Sequence, residues 1–108
     1  MSGILSNAAV KITVSTLVLT GQGSFRGFLL GTDGVNDPII TVYDGLDNTG
    51  VEIVPTCTYD ASALGLNGVT GLNRYVETGI YIEITCAGSV ELIPEYVAWG
   101  FARKLKYE

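Results

Sequence analysis

Short runs of alternating apolar and polar residues dominate the hydrophobic pattern of this chain. The clearest run extends from Gly79 to Cys86, where the isoleucines and the final cysteine share one parity and Tyr81, Glu83 and Thr85 share the other. A period of two residues is typical of a β-strand with one buried face. We therefore predict a strand in this run.

A β-hairpin is predicted from Pro38 to Tyr59. Its two β-rich runs, Ile39–Tyr43 and Val51–Thr58, are separated by a segment made almost wholly of turn residues, which is the usual signature of a hairpin. Pro55 lies inside the second run and has no N–H to donate to a neighbouring strand. We expect this run to be an edge strand or to contain a bulge.

Two further runs are irregular. In Ala9–Thr20 the alternation predicts a first long strand, with Val10, Ile12 and Val14 on one face and polar residues on the other. The residues from Leu17 to Leu19 are all apolar, which indicates a bulge or a face covered by another element or subunit. In Phe25–Leu30 the central Gly27 predicts a second bulge.

The remaining runs complete an all-β pattern. Leu72–Glu77 and Ser89–Trp99 read as strands, and the Gly-, Asn- and Ser-rich stretch Asp60–Gly71 reads as a long crossover between sheets, with a short helical turn at Ala61 to Leu64. About seven or eight short strands separated by turn signals favour a single antiparallel β-sandwich or jelly-roll-like domain. We place this domain at residues 9–99, between an N-terminal arm (1–8) and a basic C-terminal arm (100–108).

Charge is distributed unevenly along the chain. The formal net charge is −5, yet three of the six basic residues, Arg103, Lys104 and Lys106, fall within the last six positions. An acidic body argues against a nucleic-acid-binding face, which needs clustered Lys and Arg. The start of the chain lacks a signal-peptide pattern and no stretch approaches the length of a membrane span, so we expect no membrane partner.

No catalytic arrangement is predicted from the sequence, because histidine is absent and the carboxylates are best explained as solvated residues of loops and outward strand faces. With no histidine among the 108 residues, a Ser-His-Asp or Cys-His arrangement and the usual zinc site are excluded. Cys57 and Cys86 are predicted to be reduced, buried thiols. We expect neither an enzyme nor a bound cofactor or small-molecule ligand.

Two groups of residues have types that suit a ligand site, one for Ca²⁺ and one for a sugar, but ordinary structural roles explain both. The loops offer oxygen ligands for Ca²⁺, but their spacing fits no EF-hand and turn formation explains them; they are Asp33, Asn36, Asp37, Asp44, Asp47 and Asn48. The aromatic residues offer a stacking platform for a sugar, although scattered aromatics are more often core edges or a subunit interface; they are Tyr43, Tyr59, Tyr75, Tyr81, Tyr96 and Trp99.

Two segments, TVYDGLDNTGVEI and ETGIYIEITCAGSVELIPEY, carry a family resemblance. In both order and composition they resemble a group of small β-sandwich virion proteins of tailed bacteriophages, in which a TVYDG hairpin precedes a GIYI strand and a VE…Y strand. The resemblance covers roughly Ile12 to Tyr96. It implies a capsid decoration or cement protein that is made in the cytoplasm of a bacterial host and binds the major capsid protein on the surface of the virion. Chains of that group usually stop close to the final Tyr, whereas this one continues to Glu108.

A cement protein acts by burying surface across subunit seams. We therefore expect the two arms, the doubly apolar strand and the end of the last strand to make capsid or subunit contacts; these residues are Ile4, Leu5, Leu17, Leu19, Val97, Trp99, Phe101, Arg103, Lys104, Lys106 and Tyr107. A homo-oligomer, with a trimer as the expected form, would use part of the same surface. The alternatives are a tail, baseplate or head–tail joining component and a carbohydrate-binding module for host attachment.

Overall fold

The computed structural model describes residues 5–6, 10–62 and 67–99. Within these ranges the chain forms nine strands, which are β1 (Leu5–Ser6), β2 (Thr16–Thr20), β3 (Gly23–Thr32), β4 (Ile39–Asp44), β5 (Val51–Thr58), β6 (Asn67–Val69), β7 (Arg74–Val76), β8 (Gly79–Thr85) and β9 (Val90–Ala98). The described residues contain no helix that is long and apolar enough to cross a membrane.

The strands form two antiparallel sheets. Sheet one has the order β1-β9-β3-β6, with β7 also paired to β3, and sheet two has the order β2-β8-β4-β5. Because β7 lies along residues 23–25 of β3 and β6 along residues 28–30, the two form one interrupted strand on the same edge. Counted in this way, the order is that of an eight-stranded jelly roll, and the predicted all-β sandwich is confirmed.

The core lies between the two sheets. Its largest fully buried apolar side chains come from the inward parity of the central strands of both sheets and are at most 1% exposed; they include Phe25, Phe28, Leu30, Ile40, Val42, Ile80, Ile82 and Leu92. Among the described residues, no buried side-chain nitrogen or oxygen lacks a hydrogen-bond partner. The alternating pattern of the sequence thus identifies the core-facing positions of β4 and β8 directly.

The predicted first strand is wrong as one continuous element. Ile12 makes an isolated bridge to Leu92 in sheet one, whereas β2 begins at Thr16 and pairs with β8 in sheet two. Between them the chain passes from one sheet to the other, and the Ser15 hydroxyl accepts from the N–H of Ile84 at 2.9 Å. Val14 is consequently 67% exposed, because the parity that buries Ile12 does not continue across the bend.

Both predicted bulges are confirmed. The register of β3 against β9 shifts between Phe25 and Gly27, and the register of β2 against β8 shifts between Leu17 and Leu19. Gly27 has a φ of +138°, and a Cβ at this position would run into the carbonyl oxygen of Val69. A glycine is therefore required here by both backbone conformation and close approach.

The hairpin of β4 and β5 lies where it was predicted. β5 is the edge strand of sheet two, and its register against β4 shifts twice over the stretch that contains Pro55. The long connection after β5 crosses to sheet one, as predicted, but it also contains β6. This strand has only three residues, including Gly68 with a φ of +144°, so it is too short for alternation to predict it. The helical turn predicted at Ala61 to Leu64 falls partly outside the described residues.

The cysteines are both free, but only one is partly covered. Cys86 is half-buried, whereas Cys57 is exposed, so the prediction of two buried thiols is wrong for Cys57. Cys57 lies opposite Ile40, on the parity that faces inward. Since β5 is the outermost strand of its sheet, that parity does not bury the side chain.

Candidate contact surface

An exposed aromatic pair lies on the outer face of sheet one. The rings of Tyr75 and Trp99 have centroids 5.2 Å apart and planes inclined by 38°. Tyr75 is 49% exposed and Trp99 is half-buried. Together with Val97 and Arg26, these residues are called here the outer patch.

Strand register builds the outer patch. Ser24 of β3 lies between Tyr75 of β7 on one side and Val97 of β9 on the other. Residues opposite each other in a sheet share a face, so the three side chains form a row pointing away from the core. Trp99 lies two residues after Val97, on the same parity. Its backbone N–H donates to the backbone carbonyl of Gln22 at 2.9 Å, which holds Trp99 beside β3.

A short hydrogen-bond chain positions the one cation of the outer patch. Arg26 is the extra residue of the β3 bulge, and its Nε donates to the Ser24 hydroxyl at 3.0 Å. That hydroxyl donates to Oδ1 of Asn73 at 2.6 Å. Ser24 is only 1% exposed, so it forms a polar floor beneath the guanidinium.

The Arg26 guanidinium has no carboxylate partner in the described part of the chain. The salt bridge found among the described residues joins Nζ of Lys11 to Oε2 of Glu91 at 3.2 Å, and both side chains are more than half exposed. Glu95 lies opposite Gly27, next to the bulge, and is exposed without pairing with Arg26. Within the described residues, the outer patch therefore presents an unpaired cation on the same face as two aromatic rings.

The short strand β1 and the end of β9 lie side by side at this surface. β1 pairs with the end of β9, with Leu5 opposite Ala98 and Ser6 opposite Val97. The C-terminal arm continues directly from Trp99. The predicted contact residues that lie outside the described residues are Ile4, Phe101, Arg103, Lys104, Lys106 and Tyr107.

The other predicted contact residues lie elsewhere. Leu17 is opposite Tyr81 in sheet two and is 40% exposed. Leu19 is partly buried and packs against the core of its own domain. The structure thus brings Val97 and Trp99 together beside β1, and it places neither leucine with them. Arg26 was not singled out from the sequence, where its only signal is its position next to the bulge glycine.

Three of the other aromatic residues, Tyr43, Tyr59 and Tyr96, are engaged in contacts within the domain. On the outer face of sheet two, Tyr43 is only 8% exposed and its hydroxyl donates to Oε1 of Glu83 at 3.0 Å. Burial and this hydrogen bond raise the pKa of Tyr43. Tyr59 makes an edge-to-face contact with Phe28 of the core, and the Tyr96 hydroxyl donates to the carbonyl of Val18.

The acidic loop residues brace backbone rather than gather around a metal site. Asp44 at the hairpin tip accepts hydrogen bonds from the N–H groups of residues 77, 78 and 79, with a shortest distance of 2.9 Å to Thr78. Asp47 accepts from the N–H and the hydroxyl of Thr49. Among the described residues no three His, Cys, Asp or Glu side chains are grouped to hold a metal ion. Turn formation therefore accounts for these carboxylates.

Asp33 likewise uses its carboxylate to hold loop backbone, and it accepts three hydrogen bonds. Its Oδ1 accepts from the N–H groups of Asn36 and Val35, both at 2.8 Å, and its Oδ2 accepts from the Asn36 amide at 2.8 Å. These hydrogen bonds, the one from the Asn36 backbone first, lower the pKa of Asp33 from 3.8 to about 2. The ionised form is the one that holds the loop between β3 and β4.

This shift gives a pH-dependent contribution to stability. Because the pKa is lower in the folded state, the contribution is complete above pH 3.8 and is lost as the pH falls towards 2. We expect Asp33→Asn, which does not titrate, to show a smaller fall in its thermal unfolding midpoint over that interval than the wild type. Parallel curves for the two proteins would show that Asp33 does not contribute to acid unfolding.

No known family model matches this chain, and no curated protein matches it in sequence.

Proposed function

We propose that this protein is a structural component of a phage virion, a decoration protein that binds the major capsid protein on the outer surface of the shell. The observation that carries the proposal is the outer patch, where Tyr75, Trp99 and Arg26, which has no carboxylate partner among the described residues, lie on one face beside β1 and the end of β9. Tyr, Trp and Arg are the residue types enriched in protein interfaces and in their binding hot spots. Such a surface suits a protein whose role is attachment.

The fold is compatible with this role but does not assign it. Jelly rolls occur in viral capsid proteins and also in lectins, and one fold hosts many functions. The phage assignment rests on the resemblance of the TVYDG hairpin, here the end of β4 and its turn, and of the GIYI strand, here β8. In this proposal the hairpin is scaffold, because its tip carboxylate is used to hold the turn between β7 and β8.

Charge gives the proposed attachment a direction. In the described ranges ten acidic residues stand against three basic ones, Lys11, Arg26 and Arg74, so the body repels other acidic surfaces. The C-terminal arm adds Arg103, Lys104 and Lys106 immediately after Trp99. A basic end on an acidic body favours one orientation towards an acidic shell, since like charges disfavour the others.

The copy number in assembled particles tests the proposal. In particles of the phage that encodes this chain, quantitative mass spectrometry should find the protein in a fixed ratio to the major capsid protein, and a cryo-EM map should place it on the outer shell. Copies confined to the tail would instead establish a tail, baseplate or head–tail joining component. Absence from particles would overturn any virion role. Sedimentation of the purified protein tests the accompanying proposal of a trimer.

A carbohydrate-binding module is the second candidate, because the same ring pair has polar side chains at its edge. Asn73 and Arg26 are joined to the floor of the outer patch through Ser24, and apolar surface with a few fixed polar groups is typical of ligand sites. In this case the purified protein would bind immobilised glycans, Trp99→Ala would abolish that binding, and shells would remain undecorated.

A further inference from the structure

We infer that the outer patch docks on a protein surface that presents a carboxylate rimmed by apolar side chains, and that Arg26 is the residue that pairs with this carboxylate. The inference rests on the proposed function and names the chemistry of the contact on the shell protein. It follows from three properties of the outer patch, which are the fixed position of the guanidinium, the aromatic rings beside it and the charge of the surrounding body.

Arg26 is held in place before any partner arrives. Its Nε is already bonded to the Ser24 hydroxyl at 3.0 Å, and Ser24 is fixed in turn by Asn73 at 2.6 Å. One of the five guanidinium N–H donors is thus used for positioning, which leaves the Nη groups for a partner. A planar guanidinium of fixed orientation matches a carboxylate through two parallel hydrogen bonds, and little side-chain entropy remains to be lost on binding.

The aromatic pair supplies the apolar part of the contact. Tyr75 retains half of its surface in the free protein, although its ring contacts Trp99 at a centroid distance of 5.2 Å. Covering these rings removes apolar area from water and excludes water from a charge pair beside them. Since ion pairs are stronger where water is excluded, the partner's carboxylate should lie within an apolar rim.

The single cation of the outer patch favours a single carboxylate on the partner over a polyanion. Arg26 has no carboxylate partner among the described residues, although acids outnumber bases there by ten to three. A polyphosphate or nucleic acid would require several clustered cations, and the described part of the outer patch has one. A single positioned guanidinium on the same sheet face as two aromatic rings fits one carboxylate on a protein surface.

The chain offers a matched control in Arg74. It is exposed, lies next to Tyr75 in β7 and carries the same charge, but it is opposite Phe25, on the other parity from Tyr75. Arg74→Gln removes the same charge from the same small region without touching the outer patch. A difference between the two variants therefore measures the contact made by Arg26 and not general electrostatic attraction.

The experiment measures binding of the full-length protein to purified shells of the encoding phage that lack it, by co-sedimentation at increasing NaCl. We expect Arg26→Gln to weaken binding by about 10-fold or more, as for a lost hydrogen bond to a charged group, and Arg74→Gln to weaken it by less than about 2-fold, as for an exposed charge outside the contact. Arg26→Lys should recover only part of the affinity, because it keeps the charge but not the planar fork. Thermal unfolding of each variant checks that it is folded.

The outcomes separate the two proposals. Equal weakening by Arg26→Gln and Arg74→Gln, or no weakening by Arg26→Gln, would overturn the inference while leaving the decoration role intact. Failure of the wild-type protein to bind shells would overturn the decoration role itself. Binding of the wild type to immobilised glycans, with loss in Arg26→Gln and no binding to shells, would replace the protein partner by a carbohydrate.

Discussion

Replacing Phe28 by Ala should lower the free energy of unfolding by about 3–5 kcal/mol, the usual cost of deleting a buried aromatic ring. The Phe28 side chain is 0% exposed and makes an edge-to-face contact with Tyr59 at a centroid distance of 5.7 Å. It projects from β3, which is paired with β9 on one side and with β6 on the other. A strand held on both sides cannot move inward easily to fill the cavity, so the loss should fall in the upper part of this range.

Urea denaturation of both proteins measures the loss, with Leu29→Ala as the control. Leu29 is the next residue in β3, faces the opposite side and is only half-buried, so its truncation should cost less than about 2 kcal/mol. Since total stabilities are typically about 5–15 kcal/mol, Phe28→Ala alone should remove a large share of the stability of the domain. Equal losses for the two variants would contradict the assignment of the β3 faces.

Asp44→Ala should lower the free energy of unfolding by about 2–3 kcal/mol, because hydrogen bonds to a charged acceptor are worth more than neutral ones. Its carboxylate accepts from three consecutive N–H groups, those of Glu77, Thr78 and Gly79. These donors belong to the turn that passes from β7 in sheet one to β8 in sheet two. The side chain therefore ties the hairpin tip to the connection between the sheets, and its loss leaves several donors without an acceptor.

Hydrogen exchange locates this effect as well as measuring it. In Asp44→Ala the amides of residues 77–79 should exchange faster, while those of the β3 and β9 ladder change less. Asp47→Ala is the matched control, since the carboxylate of Asp47 accepts from Thr49 within its own loop, and its loss of stability should be smaller. Equal losses of stability in the two variants would contradict a role for Asp44 in tying the hairpin tip to the connection between the sheets.

The parts of the fold that could be predicted are those that one strand encodes by itself. Alternation identifies β8 because the parity of a strand survives whichever neighbours it acquires, and two β-rich runs around a turn segment identify the hairpin strands. It fails at residues 13–15, where the chain changes sheets and the inward parity ends. It also fails for Cys57, which is exposed on an edge strand whose register shifts twice, and for β6, which is too short to alternate.

The candidate site could be predicted only in part. Val97 and Trp99 were identified as outward residues at the end of the last strand, but Tyr75 was one of several scattered aromatics and Arg26 gave no chemical signal. These residues meet because Ser24 of β3 is paired with both β7 and β9. Sequence separation hides such a contact, since pairing across a central strand depends on tertiary topology.

The irregular edge at β5 has a consequence for crowding. A long, flat edge strand is a template on which a second molecule can add its own strand, which leads to aggregation. In β5 the register shifts twice around a proline that has no N–H to offer. Copies held side by side at high local concentration should therefore resist merging their sheets into fibrils and stay separate molecules.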